Sequence, residues 1–306
     1  LTVSLTEISA AHELSNLHRL SVALADSPLT APLWHDVIEA ITIGETYFFR
    51  NAFQFQALTK QVLPEIIARK RKSGIHHLRL WSAGCASGEE PYSLAMLLHE
   101  LIPDLADWHI HILGTDINAS SLKAARCGIY RKRSFRTETR DDVQEKWFEK
   151  QGDEWILNPS IRAMVMFTPL NLITDHYPAY DTFTVNMDLI VCRNVTIYFD
   201  DVTTRRVVER FHQSLNPEGW LVVGHAEPLV STYKAFTAHN FANTVMYQKA
   251  AHTLLPELIT PAPPVIKAVP AAPRPEPQVL MMWERAKQAA DRGDVEATNA
   301  LLDKAE

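Results

Sequence analysis

Residues 78–247 alternate short apolar runs with amphipathic stretches, and that alternation predicts an α/β protein with a doubly wound, parallel sheet. Two further observations bound the sheet. Apolar residues at helical spacing over the first 75 residues predict an all-helical N-terminal domain (1–75). Eight of the 18 prolines fall between Pro256 and Pro277. Proline fixes φ and removes a backbone donor, so 256–278 is expected to be an extended linker, which leaves 76–255 for the sheet domain.

The elements follow in order. Glu7 to Ala25 reads as one helix, with Ile8, Leu14, Leu17, Leu20 and Leu24 along a stripe; Leu33–Ile43 and Phe53–Lys72 read as two more. Leu78–Ala83 is the first strand and runs into Gly84-Cys85-Ala86-Ser87-Gly88, and a helix is expected from Glu89 to Leu101. Trp108–Gly114 is the next strand and Asn118–Arg126 the next helix. Cys127 to Phe167 interrupts the rhythm with aromatic and charged residues, so a small subdomain is expected at about 128–167. Met187–Cys192, a helix over Val202–Leu215, and strands Trp220–Gly224 and Thr244–Tyr247 complete the series. Residues 279–306 read as two short helices around Gly293, and the segment resembles the start of a tetratricopeptide array. One such pair cannot bury its own apolar face, so the array is expected to continue past Glu306.

Composition excludes several classes. With 30 Lys+Arg against 36 Asp+Glu, the net charge of −6 gives no support for nucleic-acid binding. No run of about 18 apolar residues exists, so no membrane insertion is expected. Leu1–Glu7 has no basic segment ahead of an apolar core, so no secretory signal is expected there. Three widely spaced cysteines (Cys85, Cys127, Cys192) make neither a disulfide framework nor a metal site, and a reducing cytoplasm is the expected compartment. The basic runs Arg69–Lys72 and Arg131–Arg133 read first as solvated faces and second as a dock for an acidic partner.

The chemistry is expected outside the carboxyl ends of the strands. The turn Gly84–Gly88 would let a ligand approach the backbone, but its spacing is not G-x-G-x-x-G and Glu89-Glu90 follow it. Two acids at a helix N-terminus repel a pyrophosphate and tolerate a cation. Asp116 ends the second strand, where a carboxylate either accepts from ribose hydroxyls or caps a helix. Together these features point to S-adenosylmethionine, whose sulfonium is cationic, and to a class I methyltransferase. A nicotinamide-dependent oxidoreductase stays open on fold alone.

Five stretches, in order, then resemble the CheR-type chemotaxis receptor methyltransferases: Glu45-Thr46-Tyr47-Phe48-Phe49-Arg50, Trp81–Ser93, Gly114-Thr115-Asp116-Ile117, Cys192–Asp200, and Gly224-His225-Ala226-Glu227. The resemblance spans about Ala40 to Lys249. It implies a Rossmann-like S-adenosylmethionine-binding domain behind a helical domain, with a small β-subdomain. It implies transfer of a methyl group to glutamates on the cytoplasmic helical bundle of a chemoreceptor, leaving S-adenosylhomocysteine.

Residue by residue, the resemblance implies that Thr46 and Arg50 lie on a segment closing over the cofactor. It also implies that Gly84 lines the cofactor, that Glu89 is the acid near its amino group and that Asp116 is the ribose carboxylate. Asn171-Leu172 and Arg193-Asn194 are further cofactor-lining pairs. Gly44 can offer only backbone. A glutamate carboxylate needs no general base, so one positioning donor is expected, from Arg50, Arg193 or Tyr198. Phe48, Phe49 and Phe53 are expected in the core, His225 in a structural role, and Cys85 and Cys192 buried.

Two departures from the family pattern stand out. Trp147–Leu157 is short with the single Gly152, so a receptor pentapeptide tether is not expected to be needed, and the basic run at Arg69–Lys72 is expected to dock the receptor. The tail implies a second protein partner. A non-catalytic scaffold that keeps the fold is the alternative reading.

Overall fold

The computed structural model describes residues 2–28, 31–42, 44–136, 139, 142–227 and 232–251. The linker at 256–278 and the tail at 279–306 lie outside these residues.

Three short helices open the chain: α1 (Thr2–Ala11), α2 (Leu17–Asp26) and α3 (Pro32–Ile41). The single helix expected over Glu7–Ala25 is therefore two. Asn16 is extended (φ −169°), and its side-chain oxygen accepts from the Arg19 N–H at 2.9 Å, starting α2 afresh. Leu20, Leu33 and Val37 form a small core of their own, with Ile8, Leu14 and Leu24 packed on it.

The expected helix Phe53–Lys72 is present as α4 (Ala52–Ala57) and α5 (Leu63–Lys72), with a widened π turn at Leu58–Val62 between them. Pro64 explains the widening. It has no N–H to donate, and its ring would strike the carbonyl of Lys60 in a regular α-helix. Phe53, expected in the core, is 48% exposed, whereas Phe48, Phe49, Phe55 and Leu63 are buried. The basic run at the end of α5 is engaged locally: Arg69 with Glu218 at 3.8 Å, Lys70 with Asp188 at 2.7 Å, and Arg71 with Asp104.

The sheet domain continues as β1 (His77–Ala83), α6 (Glu89–Leu101), β2 (His109–Asp116) and α7 (Ala119–Cys127). The small subdomain follows as β3 (Ile129–Arg131), α8 (Asp142–Trp147), β4 (Phe148–Gln151), β5 (Glu154–Leu157) and α9 (Pro159–Arg162). The chain then runs through β6 (Val165–Pro169), β7 (Met187–Cys192), α10 (Asp201–Ser214), β8 (Leu215–Val223), β9 (Phe236–Phe241) and β10 (Thr244–Lys249).

The seven-stranded sheet has the order β6-β2-β1-β7-β8-β10-β9. Its first five strands are parallel, but β10 is antiparallel to both β8 and β9, so the sheet is mixed rather than parallel throughout. The two residues between β9 and β10 allow only an antiparallel hairpin. Period-2 alternation divides the core. Leu78 and Leu80 face α5 and α6, whereas Trp81, Leu113 and Ile190 face Val207 and Phe211 of α10.

The excursion is a three-stranded antiparallel sheet, β3-β5-β4. It ends earlier than expected, because Val165–Phe167 belong to β6, the edge strand beside β2. Phe48 fastens the chain entering the sheet domain to this small sheet, its ring 4.8 Å from Tyr130 and 5.0 Å from Phe148.

Candidate functional site

From β1 the chain moves outward to β2 and β6, then returns across to β7. The direction of winding reverses between β1 and β7, which is where an open α/β sheet leaves a crevice at its carboxyl ends.

The turn after β1 is built to stay open. Gly84, Ala86 and Gly88 all have positive φ (79°, 46° and 92°). The N–H groups of Gly84 and Cys85 both donate to the Thr115 carbonyl, at 2.8 and 2.9 Å, tying the turn to the end of β2. A Cβ on Gly84 would collide with Val195, so only glycine lets the loop after β7 close on this turn.

Asp116 joins the two loops. Its Oδ2 accepts from the Ala86 N–H and its Oδ1 from the Asn118 N–H, each at 2.8 Å. Burial raises its carboxyl above the ordinary aspartate range, against the pull of these backbone donors.

The loop after β7 is organised by Glu227, a buried residue to which the sequence reading assigned no role. Its Oε1 accepts from the N–H groups of Val195 and Thr196, both at 2.9 Å, and from the Thr196 hydroxyl at 3.0 Å. Its Oε2 accepts from the N–H groups of Asn194 at 3.1 Å and of Gly224. These bonds hold Asn194 in its left-handed conformation (φ 58°). Asn194 and Gly224 both lie in motifs quoted from the sequence, but nothing in the pattern said that Glu227 binds them together.

Between these loops lies a cavity of about 370 Å³. Of the residues expected at the site, Gly84, Asp116, Asn171, Leu172, Asn194 and Tyr198 line it. The sequence reading missed Ile41, Thr42 and Ser121, which also line it. Asn118 explains how α3 reaches the cavity: it caps α7 through the Ser121 N–H at 2.9 Å and donates Nδ2 to the Thr42 hydroxyl at 2.7 Å.

Thr46, Arg50, Glu89 and Arg193 do not line the cavity. Arg50 donates Nη1 to the Glu45 carbonyl at 2.5 Å and lies 5.7 Å from the Tyr47 ring centre. Glu89 is 2% exposed; its carboxylate accepts from the hydroxyls of Ser87 at 2.7 Å and Ser134 at 2.8 Å, and burial raises it above the usual range. Arg193 is a clamp. Its Nε donates to Glu90 at 2.6 Å, and its Nη1 donates to the Arg50 carbonyl at 2.5 Å and to Gln54 Oε1 at 3.1 Å. Glu90 also accepts from Ser82 at 2.7 Å, and Gln54 donates to the Val223 carbonyl at 2.7 Å. Cys85 and Cys192 are buried as expected, and burial pushes both thiols up.

Glu89 is buried and Asp116 half-buried; neither makes an ion pair among the described residues, and the Arg133 charge only partly offsets the burial of Glu89. Their burial is costly unless a cation arrives, so the site suits a cationic ligand and disfavours a pyrophosphate. The apolar walls at Ile117, Leu170 and Phe199 suit a flat ring.

Comparison with known proteins agrees. Residues 44–245 match the family model of the CheR methyltransferase S-adenosylmethionine-binding domain. The chemotaxis protein methyltransferase 2 of Vibrio cholerae is 38% identical over 214 residues, 70% of this chain and 72% of that protein. The chemotaxis protein methyltransferase of Borreliella burgdorferi is 35% identical over 195 residues, covering 63% and 68%. The chemotaxis protein methyltransferase 1 of Pseudomonas aeruginosa is 36% identical over 197 residues, covering 63% and 69%. The cofactor is S-adenosylmethionine. With the match covering 44–245 and the reversal crevice lying inside it, this chain belongs to the CheR methyltransferase family.

Proposed function

We propose that this protein transfers the methyl group of S-adenosylmethionine to glutamate side chains of chemoreceptors, forming methyl esters. The observation that carries the reading is the cavity at the reversal of the sheet, lined by the Asp116 carboxylate, which makes no ion pair among the described residues. The names of the relatives supply the acceptor class.

When bound, S-adenosylmethionine supplies an electrophilic methyl group on a positively charged sulfur. Asp116 holds the ribose end: its oxygens accept backbone N–H groups of the two turns, and the lone-pair capacity that remains faces the cavity for a hydroxyl. Glu89 compensates the amino group from the start of α6. Gly84, Asn171, Leu172 and Asn194 shape the walls, and Thr46 and Arg50 belong to the segment that covers them. Arg193 acts through Arg50, whose carbonyl it grips, so it positions that segment rather than touching the methyl group.

The acceptor glutamate is ionised near neutral pH, with a reference pKa of about 4.3, and needs no base. What the chain contributes is alignment and exclusion of water. Tyr198, 63% exposed at the cavity mouth, is the donor that orients the acceptor carboxylate, while Arg50 assists from the covering segment.

The acceptor region is the cytoplasmic helical bundle of the receptor, which places the enzyme in the cytoplasm. Among the described residues no helix is long and apolar enough to cross a membrane. The hairpin of β4 and β5 turns at Gly152 without a longer loop, which supports catalysis without a receptor pentapeptide. The tail at 279–306 recruits a second protein.

Calorimetric titration tests the site. S-adenosylmethionine and S-adenosylhomocysteine should both bind in the micromolar range to the wild type and fail to bind the Asp116→Ala variant. A folded wild type that binds neither removes the enzyme reading in favour of a scaffold.

A further inference from the structure

The amino ends of β1, β7 and β8 frame a second cavity of about 340 Å³, lined by His77, Asn186 and Asn216 among others. It lies at the opposite end of the strands from the cofactor cavity, since Gly84 and Asn194 follow the strands that these residues begin. With β1 spanning seven residues, the two cavities stand about 20 Å apart along the sheet.

The wall of this cavity has one sign of charge. Lys70, His77 and Arg79 line it, with the rings of Tyr180 and Phe183, and no carboxylate is among the lining residues. The carboxylate of Asp188, which bonds three of these lining residues, is buried and spent. It accepts from Lys70 Nζ at 2.7 Å, from the Arg79 backbone N–H at 3.0 Å and from Asn216 Nδ2 at 2.8 Å. Asp188 therefore balances one of the two permanent cations and leaves the other.

Arg79 is fixed in place by donating Nε to the Val185 carbonyl at 3.1 Å and Nη2 to the Phe183 carbonyl at 2.8 Å. Its Nη1, and the imidazole of His77, have no hydrogen-bond partner among the described residues. Burial, with the charges of Arg79 and Lys70, holds His77 below the usual histidine range, and a bound anion would relieve those charges. Tyr180 is 81% exposed, a large ring left bare beside cations.

A fixed guanidinium suits a phosphate, and bare rings beside cations suit a flat ring by stacking and cation–π attraction. We propose that this cavity binds a small phosphate ester carrying a planar ring, a nucleoside monophosphate being the class that fits. The volume stands at the small end of the range of about 300–1,000 Å³ for small-molecule sites.

Guanosine monophosphate is the probe, titrated calorimetrically into the full chain saturated with S-adenosylhomocysteine. Saturation fills the cofactor cavity, and the prior binding of S-adenosylhomocysteine tests the methyltransferase reading separately. The proposal expects one binding site, with inorganic phosphate at least tenfold weaker. It also expects at least a fivefold loss of nucleotide affinity in Tyr180→Ala and in His77→Gln, whose side chains lie off the core, with S-adenosylhomocysteine affinity unchanged. No nucleotide binding at millimolar concentration to protein that has bound S-adenosylhomocysteine overturns it. So does nucleotide binding that both variants retain in full, or inorganic phosphate binding as tightly as the nucleotide.

Discussion

Asp116 serves two masters at the site: its backbone bonds hold the β1 and β2 turns together, and its remaining lone pairs face the cavity. Asp116→Asn separates these roles, because the amide oxygen still accepts one N–H while the charge is gone. Cofactor affinity is expected to fall at least tenfold in that variant, beside a stability cost of about 1–3 kcal/mol for the backbone N–H that then faces the amide donor, as read by calorimetry and thermal denaturation. The pH dependence has a definite sign. Burial raises both Glu89 and Asp116, so acidification toward the carboxylate range protonates them in the free protein, and a cationic ligand must then expel a proton. Affinity for S-adenosylmethionine is expected to weaken as pH falls, with proton release that titration in two buffers of different ionisation enthalpy detects. Tyr198→Phe is expected to lower kcat while leaving cofactor affinity near normal; an unchanged kcat removes the hydroxyl from the mechanism. Much at this scale was legible in the sequence. Gly84 and Asp116 stood at strand ends, where sheet chemistry is done. Glu227 was not legible, because a carboxylate that organises a loop 31 residues away leaves no local spacing to read.

At the scale of elements, the site is two turns and a segment held against them. The loop of Asn194–Thr196 depends on Glu227 and on the absence of side chains at Gly84 and Gly224. Glu227→Gln turns two donors toward backbone N–H groups that need an acceptor, at a cost of about 1–3 kcal/mol in stability for the buried donors left unmade. Urea denaturation reads that cost, and cofactor affinity is expected to fall with it. The strand–helix alternation was legible because each central strand is an apolar run bounded by turns. The failures have physical causes. A helical stripe from Ile8 to Leu24 hid the break at Asn16, since a cap does not disturb apolar spacing. The strand β6 escaped notice because an edge strand needs only one buried face, and Pro169 closes it. The contribution of α3 to the cavity was invisible, being made through the Asn118–Thr42 contact across 76 residues of chain.

At the scale of the molecule, the sheet carries its chemistry at one end and a collar of basic side chains at the other. His111 on β2 belongs to that second end. Burial, together with Arg79 and His77, lowers it to about 4. It is neutral in the folded protein and protonates once unfolded, so its contribution is present in full above the usual histidine value of 6.5 and is lost as pH falls toward 4. His111→Gln cannot titrate, and the stability of the wild type relative to that variant is expected to decline from neutral pH to pH ~5. Denaturation midpoints at the two pH values check this, and a constant difference would contradict it. The central claim, that the cavity at the sheet reversal methylates receptor glutamates, has a direct measurement. Purified protein is incubated with tritiated S-adenosylmethionine and the cytoplasmic bundle of a chemoreceptor from the same cell, and the labelled product is treated with mild base. The account predicts label on the receptor that base releases as volatile methanol, and none from Asp116→Ala. Base-stable label, or an unlabelled receptor from protein that binds S-adenosylhomocysteine, would contradict it.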